Sequence, residues 1–514
     1  MVESKRRVEL WVMLLLSVFA WAPATHPGYW QALEGFLPQF NAVTLNRLAT
    51  VAVAPDLWRG EGVGASLVPH LFFLLNISPT LAVRLTFIGI ILGAGIGVYF
   101  WLEARLGRRG AALAGWIYIL LPPFLATIYV RGSLADATVI ALLPWLFWAL
   151  SRVMLEQGRQ GRLLYGAVFI VLMTWLWLTQ AGLALLATLL LLSYAAWVMR
   201  NGWAAGLALL GGLVGAATLW PVWGTYAPAP VDFYAHFVYL FQLLRNHWQV
   251  APSIPGWQDG YPFQLGTMAL LTALLALWLW RMTNSGLAVQ AVRLLAFAGS
   301  GSLILILLSL DFSIPVWQLL KADRLLLYPW QILLLAAPLL VVFAAALPTL
   351  LPEFGEFPLW SGLMLLTLAF NYNLLTTTFT ALEPPLQPLA TVGDNQLVIL
   401  NMQINQSQWP TVKLDLGWQA LQPLSFDYNF FLQARSDEST QSTGFAQFDG
   451  PPLPDRPATS WQPGEVFTAT YSITLQNPPQ TPPVYIFGFY DWRDGKRLPI
   501  NGGQDDKMVL HGPE

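Results

Sequence analysis

Long apolar runs fill the first three quarters of the chain, and short alternating ones fill the rest. A helix crossing about 30 Å of hydrocarbon takes about 20 mostly apolar residues. About eleven runs reach that length between flanking charges or turn residues, at roughly 8 to 24, 80 to 102, 110 to 128, 134 to 154, 163 to 180, 182 to 199, 203 to 222, 264 to 281, 290 to 310, 328 to 349 and 357 to 376. The first follows "SKRR" and precedes "APAT", the outline of a signal peptide. Further spans follow it and no clean small-residue cleavage site closes it, so it reads as a retained anchor. From about residue 377 the texture changes to Pro and Gly clusters with ordinary polarity. "QLVILNMQI", "TVKLDLGW", "SFDYNFFLQA", "EVFTATYSITL", "PVYIFGFYD" and "KMVLH" predict strands, separated by breakers such as "DGPPLPDRP" and "NPPQTPP". The pattern predicts a polytopic α-helical membrane domain over 1–376 with long outer loops at 25–79 and 223–263. A linker at 377–394 and a C-terminal extracytoplasmic β-sandwich over 395–514 complete the expected organisation.

Composition narrows the function classes. Of 514 residues, 56% are hydrophobic and only 11% charged, with a mean hydropathy of +0.53, far from a soluble chain. A net charge of −2 leaves no basic footprint for nucleic acid. The absence of cysteine removes disulfides, thiolate nucleophiles and Cys-ligated zinc. Basic residues gather in "ESKRR", "EARLGRRG", "RVMLEQGRQGR", "VMRNG" and "RMTNSGLAVQAVR", which all fall on one side of the predicted spans. The positive-inside rule makes that side the cytoplasm, with the amino end inside and the sandwich outside a plasma membrane. The acidic loop "LLPEFGEFP" carries little weight in that rule.

Charge is rare near the spans, so its exceptions attract attention. "YVRGSLAD" sets Arg131 and Asp136 at the rim between two apolar runs. One reading is interfacial anchoring by Arg131 and Tyr129. The other uses Ser133 as an N-cap, with Asp136 three residues on in a box-like start, and Gly132 for a tight turn whose backbone donors and guanidinium cup an anion. A lipid-linked phosphate is the natural anion at that depth. The first outer loop adds His26, Glu34, Arg47, Asp56, Arg59, Glu61 and His70, and Glu34, flanked by aromatics, is the preferred general base. In "WQLLKADRLLLYPWQ", Lys321, Asp323 and Arg324 stand at the mouth of the tenth span, where Lys321 can snorkel. His236 and His247 lack metal-site spacing and read as polar handles.

The order of "APDLWRGEGVG", "YVRGSLAD", "FVYLFQLLRNHWQVAPSIPGWQDGYPFQLG" and "WQLLKADRLLLYPW" resembles the bacterial membrane proteins labelled 6-pyruvoyl-tetrahydropterin synthase-related, which look like GT-C glycosyltransferases. The tail, with "FAQFDGPP" and "FGFYDWRDGKRLPI", is similar to the β-sandwich of Chloroflexota members. The resemblance implies an inverting glycosyltransferase using a polyprenyl-phosphate donor on the outer face, acting on a glycan or protein acceptor, with no pterin. It implies Glu34 as the base, Arg131 and Arg324 as donor-phosphate partners, and Asp136, Asp56 and Lys321 in support. Glu34 stands where the family has Asp, with Pro38 and Asn41 in place of its His and Arg. Asp136 stands at its Glu, Leu327 at its Gln and Gln331 at its Arg. No metal ligand set is expected, and the residues neither require nor forbid a divalent metal. Two rivals remain: a catalytically inactive scaffold of an envelope or glycan-assembly complex, and a lipid or sugar transporter. The second calls for charges near the bilayer midplane, which these spans scarcely have.

Overall fold

The computed structural model describes residues 7–51, 58–220, 231–282, 287–380, 388–439, 444–476, 482–503 and 505–511. By contacts the chain divides into two units: Met1–Trp30 with Leu45–Phe379, and Gln31–Thr44 with Thr380–Glu514.

The first unit is helical, because its apolar runs can satisfy their backbone groups only internally. Seven helices are long and apolar enough to cross a membrane: Val8–Thr25, Pro79–Leu106, Leu134–Leu155, Arg159–Thr179, Ala181–Met199, Val289–Ser309 and Pro329–Leu350. Arg108–Ile119 and Pro122–Arg131 form a further apolar pair, bent by 46° where two prolines withhold their donors, the form of a broken span or a re-entrant loop. The helices Gly202–Thr218, Thr267–Met282 and Phe357–Asn371, expected as full spans, are 17, 16 and 15 residues long. At 1.5 Å per residue each falls short of about 30 Å. The eleven expected runs are thus all helical over most of their length, but seven are full-length single helices among the described residues.

Caps mark the helix starts. Ser78 Oγ accepts from Leu81 N at 3.4 Å ahead of Pro79, and Asn201 Oδ1 takes Trp203 N at 2.8 Å and Ala204 N at 3.1 Å. Pro329–Leu350 is the hub, 89% buried, whereas Val8–Thr25 is only 22% buried and lies on the outside. Three basic segments meet at one end of this unit. Arg7 pairs with Glu103 at 3.4 Å, Arg109 with Glu9 at 4.0 Å, and Arg105 donates to Ser151 Oγ at 3.1 Å. Arg109 also donates to the Gly355 carbonyl, which brings the acidic loop to the same end. Along Leu134–Leu155 that end lies about 22 Å from Asp136.

The second unit carries two antiparallel sheets. One runs Ala390–Val392, Leu397–Gln408, Thr411–Ala420, Val466–Thr474 in spatial order. The other runs Lys496–Arg497, Val484–Asp491, Asn429–Arg435, Gly444–Gly450, with Met508–His511 also on Val484–Asp491. Alternation puts Val412, Leu414, Leu416 and Trp418 of one sheet and Phe430, Leu432, Tyr485, Phe487 and Phe489 of the other into a single core, the arrangement of a sandwich. Trp418 and Trp461 sit in that core with ring centroids 5.7 Å apart, and Trp492 is exposed. Three of these strands lack a clear sequence signal, the first being the two-residue Lys496–Arg497. Ala390–Val392 lies in the segment read as linker, and Gly444–Gly450 is a half-buried edge without clean alternation.

Candidate functional site

Proline and glycine shape the turn that carries Arg131. Pro122–Leu125 starts on two prolines and widens into a π-helical turn, Ala126–Arg131. Gly132 then takes a φ of 74°, the left-handed region that reverses the chain in one residue. Ser133 caps the next helix, its Oγ accepting Asp136 N at 3.4 Å. Only half of the expected box forms, because the Asp136 carboxylate pairs with Arg131, and Ser133 N donates to the Thr127 carbonyl at 3.0 Å. Tyr129 is fully enclosed, its hydroxyl donating to the Ala20 carbonyl at 2.6 Å, and so is no surface anchor.

The Arg131–Asp136 pair is withdrawn from water, with side chains 12% and 2% exposed. Desolvating two charges is costly unless further hydrogen bonds satisfy them. Gln331 supplies two: its Nε2 donates to Asp136 Oδ1 at 3.2 Å and Oδ2 at 3.3 Å. Its Oε1 accepts Leu327 N at 3.0 Å and Tyr328 N at 3.1 Å, so one amide ties the "YPWQ" turn to the start of Leu134–Leu155. Above the pair stands an aromatic wall. Arg131 Cζ lies 5.6 Å from the Trp330 ring and 5.9 Å from that of Tyr328; the two rings stack at 5.1 Å, and Tyr261 stacks on Trp330 at 4.6 Å.

A third segment closes the cluster. Ser133 Oγ donates to Glu61 Oε1 at 3.0 Å, which brings "WRGEGVG" to the same turn. Gly62 N donates to the Thr179 carbonyl at 2.8 Å, and Gly182 N to that of Trp58 at 3.1 Å. At Gly182 a Cβ would overlap the Leu325 carbonyl oxygen, so only glycine permits this approach to the "KADRLLL" segment. The N-terminal ends of Val63–Leu74, Leu134–Leu155, Ala181–Tyr194 and Pro329–Ile332 are therefore drawn together by these contacts, with buried Arg59 nearby in sequence to Glu61.

The expected site residues distribute as follows. Arg131 and Asp136 are in direct contact. Arg324 and Lys321 are exposed, Arg324 closing the turn Ala322–Arg324 four residues before Tyr328. Their turn lies beside the segment containing Tyr234, whose phenol is pushed up by burial and by the Asp323 carboxylate. Asp56 falls outside the described residues. Glu34 belongs to the second unit. It is buried at 9% exposure in a turn where Phe36 N donates to the Leu421 carbonyl at 2.6 Å. A Cβ at Gly35, whose φ is +50°, would overlap that same oxygen. The sandwich unit thus fixes the turn that carries Glu34. Among the described residues no group of three His, Cys, Asp or Glu stands close enough to hold a metal ion.

Gln331 is not among the residues whose type and position in the sequence mark them as site candidates. Its position three residues after Tyr328, in the first turn of a helix opened by proline, is the signal that could have found it. The hydrogen bonds of His236, Ser253 and Asp259 have no such signal. No family model matches the chain, and no curated protein matches it. Among solved structures it is similar to the cryo-EM structure of the arabinofuranosyltransferase AftD from mycobacteria, at a TM-score of 0.43 and 19% identity. The match covers 75% of this chain and 28% of that one, so the chain spans little more than a quarter of that protein's length.

Proposed function

We propose that the protein is a GT-C-like glycosyltransferase of a bacterial plasma membrane, moving a sugar from a polyprenyl-phosphate carrier to a hydroxyl on a glycan or protein acceptor. The acceptor hydroxyl gives its proton to the Glu34 carboxylate, and its oxygen attacks the anomeric carbon from the face opposite the carrier. The bond from that carbon to the phosphate oxygen breaks, its electron pair leaves on the phosphate, and configuration inverts. Arg131 and Arg324 stabilise the charge that develops on the phosphate, Asp136 keeps the Arg-Gly turn in place, and Asp56 and Lys321 support the site.

The observation that supports this reading is the meeting around Arg131 of "WRGEGVG", "YVRGSLAD" and "DRLLLYPWQ", the stretches that also carry the family resemblance. Four helix N-termini and a guanidinium in one place favour an anion over a neutral group. A second reading draws on a different feature. Arg131 is already matched by Asp136, whose carboxylate also accepts from Gln331, an arrangement that serves a catalytically inactive scaffold equally well.

Two experiments bear on the proposal. Membranes containing the protein should transfer labelled sugar from polyprenyl-phosphate-linked donors above the level of membranes lacking it. Absence of transfer, with polyprenyl phosphate still bound by the purified protein, selects the scaffold. The meeting of three basic segments at one end supports a cytoplasmic placement of that end and an extracytoplasmic sandwich. Because the chain has no cysteine, single cysteines report position without background. Trp492→Cys, at an exposed position, should react with an impermeant maleimide in intact cells, and Gln157→Cys only after permeabilisation. The reverse pattern would invert the topology.

A further inference from the structure

The segment between the helices Gly202–Thr218 and Thr267–Met282 is described from residue 231, and it folds on itself with its own hydrogen bonds. Gly256 N donates to the Ala235 carbonyl at 3.1 Å and Leu265 N to that of Leu243 at 3.0 Å. Gln242 Nε2 reaches the Trp257 and Asp259 carbonyls at 3.3 and 3.4 Å. Val238 N donates to the Ser309 carbonyl at 3.0 Å, and Asp311 N to that of Val238 at 3.2 Å, which fastens the segment to the end of Val289–Ser309. Inside this fold lie three polar side chains in series. Ser253 Oγ donates to Asp259 Oδ2 at 2.6 Å, and His236 Nδ1 stands 3.0 Å from Ser253 Oγ.

Counting protons assigns the histidine tautomer. Burial raises the Asp259 pKa above the ordinary carboxylate value, against a smaller opposite pull from three donors: Ser253 Oγ, Tyr261 N at 2.9 Å from Oδ1, and Ile254 N; with every contact a donor, the group is placed as an acceptor. The single hydroxyl proton of Ser253 is committed to Asp259, so its oxygen can only accept from His236. The ring therefore carries its proton on Nδ1 and its lone pair on Nε2, which has no hydrogen-bond partner among the described residues. Burial lowers the His236 pKa, against a smaller pull from Asp232, which keeps the ring neutral at pH 7 as the count requires. The imidazole meets the Tyr328 ring edge-on, centroids 5.2 Å apart at 71°. Tyr328 is the ring beside the Arg131 guanidinium, so a single aromatic side chain separates His236 from the arginine.

We propose that His236, oriented through Ser253 by Asp259, presents Nε2 as the acceptor for a hydroxyl of the glycosyl group whose phosphate is held at Arg131. This rests on the transferase reading and assigns the sugar end of its donor site. Asp259 and Ser253 are positioning residues, and His236 determines which hydroxyl pattern is recognised. An acceptor lone pair beside aromatic rings suits a sugar, whose hydroxyl edge donates while its C–H face packs on a ring.

Two measurements on the full chain in nanodiscs test this. With only five histidines, the ¹⁵N-histidine spectrum of the protein at pH 7 can be assigned by loss of one signal in His236→Phe. His236 should be protonated at Nδ1 and bare at Nε2, and Ser253→Ala should release that preference. Protonation at Nε2 in the unaltered protein overturns the relay without touching the transferase reading. Binding is then compared for farnesyl phosphate and a series of glycosyl farnesyl phosphates. His236→Phe should weaken the tightest glycosyl ester about tenfold, the effect of one net hydrogen bond, and leave farnesyl phosphate unchanged. Equal loss for both probes, or no loss for either, removes His236 from the sugar site. If the unaltered protein binds no probe at all, the donor reading and this proposal fall together.

Discussion

Asp136→Ala lowers the stability of the helical unit by about 3–5 kcal/mol, the cost of leaving one member of a buried ion pair without its counterpart. The cause is Arg131, whose side chain is 12% exposed and cannot recover the lost carboxylate from water. Gln331 loses both acceptors of its Nε2 in the same substitution, so its grip on the start of Leu134–Leu155 is lost as well. The paired change Arg131→Met with Asp136→Ala removes both charges and should restore much of the stability, because apolar replacement of a whole buried pair is often neutral or better. Thermal unfolding in detergent reads the cycle. A single Asp136→Ala that melts with the unaltered protein would mean that water reaches the pair and that the enclosure described above is absent.

On the proposed mechanism, Glu34→Gln should abolish most transfer. The amide keeps the size of the carboxylate but cannot take a proton, and loss of a general base typically costs about 10²–10⁴ in rate. Gly35 and the Phe36–Leu421 hydrogen bond are unaltered in this variant, and thermal unfolding alongside the rate measurement separates loss of chemistry from loss of fold. Initial rates of sugar transfer at saturating donor, compared at equal protein, give the ratio. Undiminished transfer takes Glu34 out of the chemistry and passes the role of base to another group.

How far the sequence could be read depended on the range of the forces involved. Apolar runs of about 20 residues announce helices because the bilayer dictates their length, and the run before Pro352 and the run after Ser78 could be placed to within a few residues. The weaker cases were runs that bend or stop early, such as the pair broken at Pro122 and Pro123, where a local backbone restriction overrides hydrophobicity. Ser133 as a cap was legible from its spacing to Asp136, but the destination of the Asp136 side chain was not. It pairs with Arg131 and is held as well by Gln331, 195 residues away, and nothing local encodes that second contact. The same holds for Gly182, whose missing side chain matters only because Leu325 arrives there. In the sandwich, central strands show their alternation, whereas the edge strand Gly444–Gly450 buries too little on either face to leave a pattern. Glu34 was legible as a candidate by chemistry, and its attachment to the sandwich unit was not.

The claim on which the rest depends is that the cluster around Arg131 receives a lipid-linked phosphate. The charge-neutral pair Arg131→Met with Asp136→Ala isolates that claim from folding, since it deletes the guanidinium without stranding a buried charge. Native mass spectrometry of the protein and this variant, each reconstituted with polyprenyl phosphate, gives the retained lipid directly. Retention should fall at least tenfold in the variant, the loss of one charge-assisted contact of about 1.5–3 kcal/mol. Equal retention by two proteins that melt alike would place the phosphate elsewhere.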